Sequence, residues 1–265
     1  MRKLILGVLV LLAAAILAEL GTAAYTEHRI SRALRDSAQL DSDPHVILRG
    51  FPVLPQIITG EYDKIDIQVE RVPTDYAGRV SLEAALTGAR ITPGRWYQQR
   101  ITALAADELT GRVVMGQTEL GRRFDLPDLR LSFFPVTFID AFDAATEEVI
   151  NRFRPVMLTA TPPESIDDEP VTVEARLRLD GNVLTIEPLR FYNGPYRDRD
   201  IPIPEELRER ALRSFKMTMT IPEVPFSQQP AYAYPQGGRI VVEAAVENVT
   251  LDLDHDRAST TAGRP

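Results

Sequence analysis

The chain has 265 residues, enough for one large domain or two small ones, and its 44% apolar and 26% charged content is that of an ordinary globular protein. A formal charge of −8 argues against nucleic acid as a partner, because neutralising phosphates takes a surplus of Lys and Arg. The absence of cysteine excludes disulfides, thiolate nucleophiles and Cys-based zinc sites, and it leaves the chain indifferent to the redox state of its compartment.

At the N-terminus, Arg2 and Lys3 precede Leu4–Ala18, an uninterrupted run of fifteen apolar residues or glycine. Two readings stand. As a signal peptide, the run is the apolar core of a leader, with Thr22-Ala23-Ala24 supplying small residues for cleavage. As a transmembrane anchor, Leu4–Ala24 reaches ~30 Å in helical form, with Glu19 near the outer interface. Either way the positive charges stay inside and the rest is exported, to the outer face of the cytoplasmic membrane or the periplasm. The next segment, Tyr25–Ala38, is predicted as a helix: Ile30, Ala33, Leu34 and Ser37 share one face, flanked by Arg29, Arg32 and Arg35.

Strand signals follow. His45–Arg49 is a short apolar run, and Ile65, Ile67 and Val69 alternate with polar residues at the period of a half-buried strand. Between them "GFPVLPQIITG" (50–60) carries no charge from Phe51 to Thr59, yet Pro52 and Pro55 remove two backbone donors. The expectation there is an irregular apolar loop. Alternation returns at Val80–Leu86, at Leu109–Met115 and at Leu129–Phe133. A long helix is predicted next, because Phe138, Phe142, Ala145, Val149 and Phe153 recur at helical spacing and Pro155 closes the pattern. Beyond the acidic connector 162–170, Val171–Leu179 and Val183–Phe191 flank Asp180-Gly181 as a hairpin. A second helix, Glu205–Phe215, enters through Pro204, and Lys216–Ile221, Arg239–Val246 and Val249–Leu253 read as the closing strands. One theme recurs: "FPVLP" (51–55), "FFPVTF" (133–138) and "IPEVPF" (221–226) each set apolar residues beside proline at a strand end.

Motifs for catalysis are missing from the sequence. His28, His45 and His255 are scattered, no Gly-x-Ser-x-Gly elbow exposes a serine, and no Gly-rich phosphate loop opens a helix. "LDLDHDR" (251–257) alternates three aspartates but has Arg257 where a calcium loop needs glycine, so it reads as a solvated strand edge. The acids at 167–169 read as solubility, and Trp96 and Tyr97 as a core or loop anchor. The expectation is a protein that is not an enzyme and uses no metal or cofactor.

The order of features resembles the LmeA-like family of actinobacterial envelope phospholipid-binding proteins. The matching pieces are the N-terminal membrane segment, the helix 25–38, "VILRGFPVLPQIITGEYDKIDIQVE" (46–70), "DGNVLTIEPLRF" (180–191), "IPIPEELRERALRSFKMTMTIPEVPF" (201–226) and "GRIVVEAAVENV" (238–249). The Gly-Phe-Pro stretch followed by Gly-x-Tyr and an alternating strand is the most specific of them. The resemblance implies an α+β, TULIP-like tubular lipid-binding fold, in which a curved antiparallel sheet wraps a long helix around an elongated apolar cavity. It implies phospholipid held by its acyl chains, lipid transport and a role in maturing lipoglycan such as lipomannan, and it brings no catalytic residues.

Under that reading residues 1–24 are leader or anchor, 25–256 form a single lipid-binding domain and 257–265 a flexible tail. Phe51, Leu54, Ile57 and Ile58 face lipid at a cavity mouth or the membrane surface, the rival placement being an inward plug of ordinary core. Phe138, Phe142, Val149, Phe153, Phe191, Phe215, Met217 and Met219 line the cavity, against the alternative of a solid core made from the same side chains. Arg49, Arg71, Arg130 and Arg190 are candidates for the phosphate. The competing functional reading is an interaction module that docks on a membrane-bound envelope glycosyltransferase.

Overall fold

Alternating apolar residues dominate this chain, and strands dominate its structure. The computed structural model describes residues 17, 19–32, 34–35, 43–91, 103–133, 155–194, 200–226 and 228–252. The predicted long helix over 138–153, most of the N-terminal apolar run, Trp96 and Tyr97, and the acidic tail beyond Asp252 lie outside those residues.

Among the described residues the fold consists of antiparallel β-structure with short helices. One sheet has the order β1-β2-β3-β4-β11-β10, built from His45–Arg49, Glu61–Thr74, Gly78–Ile91, Ala103–Gly116, Arg239–Asp252 and Tyr232–Gln236. The other has the order β5-β6-β7-β8-β9, built from Arg130–Phe133, Val156–Ala160, Val171–Asp180, Val183–Phe191 and Met217–Thr220. The helices are α1 (19–32), α2 (Val53–Thr59), α3 (Gln117–Arg123) and α4 (Arg208–Ser214), the last entered through a 3₁₀ turn at Glu205–Leu207. The chain divides into two compact units: Met1–Val69 with Glu83–Thr110 and Ala245–Pro265, and Glu70–Leu82 with Gly111–Ala244.

Turn chemistry sets the register of the second unit. The β7–β8 hairpin pairs Asp180 with Val183, and Gly181 takes φ +58 at the first loop position, a conformation that a residue with a Cβ resists. The β10–β11 hairpin pairs Gln236 with Arg239 across Gly237 and Gly238, both at positive φ, as a tight two-residue loop requires. Pro235 is tolerated in β10 because that strand ends its sheet. Across β4, β11 and β10, the buried Glu243 carboxylate accepts from Arg112 Nε at 2.6 Å and from the Tyr234 hydroxyl at 2.8 Å.

The core of this unit is one apolar cluster. It joins Val113 and Met115 of β4, Leu120 of α3, Val156 and Leu158 of β6, Val173 of β7, Leu184 and Ile186 of β8, Phe215 and Met217, and Ile240 and Val242 of β11. Both faces of the cluster come from strands whose inward residues repeat at period two. The third proline segment also packs inward: Ile221 and Val224 are buried, and a Cβ on Gly111 would come within 2.9 Å of the Pro225 carbonyl oxygen.

In the first unit α1 lies along the outer side of β1, the end strand of its sheet. Its buried face carries Glu19, Thr26, Ile30 and Ser31, and Leu34 just beyond it is buried too. The Ser31 hydroxyl donates to the Pro44 carbonyl at 2.6 Å, and the Glu27 carboxylate accepts from Leu48 N–H at 2.9 Å. Ile30 and Leu34 face inward as their spacing predicts; Arg29 stacks over the Tyr25 ring and Arg35 pairs with Asp43.

Several sequence expectations are corrected. Segment 50–60 is not an irregular loop, since Val53–Thr59 is helical. Both prolines sit where a helix has no partner to lose, Pro52 at the N-cap and Pro55 in the first turn. The strands expected at 239–246 and 249–253 are one strand, which passes through Asn248 at φ +52, a left-handed position that Asn accepts. β6, β10 and α3 were not anticipated. Phe215→Ala, in the middle of the apolar cluster, is expected to cost about 3–5 kcal/mol, read as a lower midpoint in urea unfolding.

Candidate lipid-contacting site

The site is built around α2, and its sequence explains both of its faces. Val53, Gln56 and Ile57 point inward, whereas Leu54 and Ile58, at the i, i+4 spacing of the other face, are exposed, as is Phe51 just before the N-cap. Ile57 is 5% exposed, but Ile58 is 70% and Phe51 81% exposed. A short helix that is apolar on both faces has spent only half of its apolar surface on the core.

Glycines bracket the helix. Gly50 takes φ +96, and a Cβ there would lie 2.2 Å from an Asp63 carboxylate oxygen. Gly60 takes φ +76 as the left-handed C-cap, its N–H donating to the Gln56 carbonyl at 2.8 Å. The buried Gln56 side chain joins helix and strand: Nε2 donates to the Pro52 carbonyl at 3.1 Å, and Oε1 accepts from Asp63 N–H at 3.0 Å.

The N-terminus of α2 is satisfied from far along the chain. A helix leaves four N–H groups without intrahelical partners, at the N-cap and the next three positions. Pro52 and Pro55 occupy two of these and have no N–H, which leaves Val53 and Leu54. The Glu19 carboxylate, 9% exposed, takes both: Val53 N–H donates to Oε1, and Leu54 N–H to Oε1 at 3.1 Å and Oε2 at 3.3 Å. The start of α1 is thereby held at the start of α2. Leu17 and Leu20, which flank Glu19, are exposed, as are Tyr25, Phe51, Leu54 and Ile58. Six of the eleven exposed large apolar side chains among the described residues thus lie on these two helices or within two residues of their starts, a concentration that scattered surface leucines do not produce.

The other sequence candidates fall elsewhere. Phe138, Phe142, Val149 and Phe153 lie outside the described residues. Phe215, Met217 and Met219 are buried in the apolar cluster of the second unit, with Phe191 packed half-buried against it. Met217 and Met219 stand opposite Ile186 and Leu184 across the β8–β9 pair. Of the arginines, Arg49 pairs with Asp66 at 2.8 Å and Arg190 with Glu174 at 2.7 Å, Arg71 takes φ +58 within β2, and Arg130 begins β5. Glu19 was read in the sequence only as an interfacial residue, and nothing local signals a cap 34 residues away.

A family model for LmeA-like phospholipid-binding proteins matches residues 17–245. The chain belongs to the LmeA-like phospholipid-binding family. No curated protein and no solved structure matches it. The family match begins inside the apolar N-terminal stretch, so α1 is part of what the family shares, along with α2 and both sheets.

Electrostatics adds one feature beside α2. Tyr62, near the start of β2, is buried, and burial pushes its phenol above the ordinary range by disfavouring the phenolate. A folded pKa raised above the unfolded one contributes stability below pH ~10 and loses it as pH rises through the folded value. Spectrophotometric titration is expected to show a tyrosine fraction ionising later in folded than in urea-unfolded protein.

The two faces of α2 give a paired prediction. Ile58→Asp is expected to lower binding to phospholipid vesicles roughly tenfold or more, the loss of one exposed side chain's burial, with the melting temperature nearly unchanged. Ile57→Ala is expected to cost about 2–5 kcal/mol of stability, as seen by denaturant unfolding.

Proposed function

We propose that this protein is exported and acts in the cell envelope as a phospholipid-binding or lipid-transfer protein. It holds acyl chains in an elongated apolar cavity of TULIP-like form, and it supports maturation of lipoglycan of the lipomannan type. The family match over 17–245 carries this reading. Physical chemistry agrees with it: burial gains ~0.8 kcal/mol per methylene, so two 16-carbon chains amount to about 25 kcal/mol that only a continuous apolar environment can supply. An acidic protein gains little from anionic head groups, which leaves the acyl chains as the main handle.

In this reading Phe138, Phe142, Val149, Phe153, Phe191, Phe215, Met217 and Met219 line the cavity. Phe51, Leu54 and Ile58 face lipid where it leaves the bilayer, with Ile57 buried behind them. Methionine suits a wall that must accept more than one acyl shape, being unbranched and polarizable. The charged and apolar N-terminal segment supports a location on the outer face of the cytoplasmic membrane or in the periplasm.

Native mass spectrometry of the detergent-extracted full chain tests the reading. The expected spectrum shows a phospholipid adduct that exchanges when vesicles of a different acyl composition are added. A chain that neither arrives with phospholipid nor takes any up from vesicles contradicts it. Transfer is separate from binding, and is expected to appear as protein-dependent movement of a fluorescent phospholipid from donor to acceptor vesicles.

A further inference from the structure

The first turns of α1 are where the two sequence readings of the N-terminus diverge, one removing them and the other keeping them. The helix is continuous over 19–32, so cleavage after Ala24 would cut it within its length. It would also remove Glu19, which satisfies Val53 and Leu54 N–H, and sever the bond from the Thr26 hydroxyl to the Thr22 carbonyl at 2.9 Å. The family match includes residues 17–24 as well. A segment whose carboxylate is built into the folded unit is structural, not a detachable leader.

We infer that the N-terminal segment is retained as an anchor, and that Glu19 is the positioning residue that seats the outward apolar face of α2 on the bilayer from which α1 emerges. The occupant follows from the chain itself. Read as an anchor, Leu4–Ala24 is long enough to span a bilayer with Glu19 near its outer interface, and Leu17 and Leu20, on either side of Glu19, are exposed at that level. Glu19 brings the first turn of α2 to that same level, and Phe51, Leu54 and Ile58 extend the apolar surface outward. With a net charge of −8 the attachment rests on these side chains and not on attraction to anionic lipid, so it is insensitive to salt. The inference rests on the export reading above but not on the cargo.

The cysteine-free chain makes the test direct. The full chain is produced in an exporting bacterial host, and its intact mass is expected to include residues 1–24. A mature protein beginning at Tyr25 overturns the inference. Single-cysteine variants Phe51→Cys and Ile58→Cys, with His45→Cys at the exposed end of β1 remote from α2 as reference, carry a fluorescent label. They are reconstituted in phosphatidylcholine–phosphatidylglycerol vesicles containing spin-labelled lipid. Quenching at 51 and 58 is expected to exceed that at 45 several-fold, in low and high salt alike. Equal quenching at all three positions overturns the inference, as does disulfide-linked dimer as the main product of Ile58→Cys.

Glu19→Ala is expected to halve the contrast between 58 and 45, or reduce it further, while the chain stays in the membrane pellet. Glu19→Gln, which keeps an acceptor oxygen, is expected to restore most of it; a contrast indifferent to both substitutions removes Glu19 from the account. Native mass spectra of the same preparation report the lipid cargo independently, so an empty protein that still quenches at 58 counts against the cargo and supports the seating.

Discussion

A helix that begins on proline cannot cap itself. Pro52 offers no side-chain oxygen and Pro55 no donor, so α2 enters the fold with two bare N–H groups and no local acceptor. Left buried and unpaired, each would cost about 1–3 kcal/mol. Glu19 answers both with one carboxylate, and the charge finds the positive end of a short helix. The prolines and the glutamate therefore form one device written at two places in the chain, 34 residues apart. Much of the first unit follows from it: the axis of α1 is fixed at one end by Glu19 and further along by Glu27 and Ser31, all three reaching the backbone of residues 44–54.

The two units place their apolar content differently. In the second, large side chains such as Phe215, Leu158 and Ile186 are packed away completely. In the first, α2 turns Ile57 inward and its neighbour Ile58 outward, and the outward face stays apolar. Folding alone does not account for that choice, since a polar residue at 58 would serve a monomer in water better. That outward face, in a member of a phospholipid-binding family, is the surface on which the proposed seating at a bilayer draws.

Much of this was legible in the sequence wherever one residue's neighbours along the chain decide its conformation. β1, the β7–β8 hairpin and the helix after Pro204 form where alternation, turn residues and proline position say they should. Short elements escaped: β6 is five residues pressed between Pro155 and Pro162, and α3 is a seven-residue helix with no apolar stripe long enough to show a period. β10 could have been found from Gly237-Gly238. At 50–60 proline was weighed as a breaker when its place in the first turn makes it neutral. The apolar set Phe51, Leu54, Ile57 and Ile58 was visible as a set, but which members face outward depends on where the helix begins, and the prolines hid that helix.

The contact between Glu27 and Leu48 has a further consequence. An end strand with free backbone groups is a template for the strand of another molecule, and proteins that gather on a membrane meet one another at high local concentration. By occupying the Leu48 N–H, with Ser31 holding the Pro44 carbonyl, α1 blunts that template at the point where β1 would otherwise recruit a neighbour. Under the proposed anchoring, the same helix also discourages copies crowded on a membrane from polymerising edge to edge.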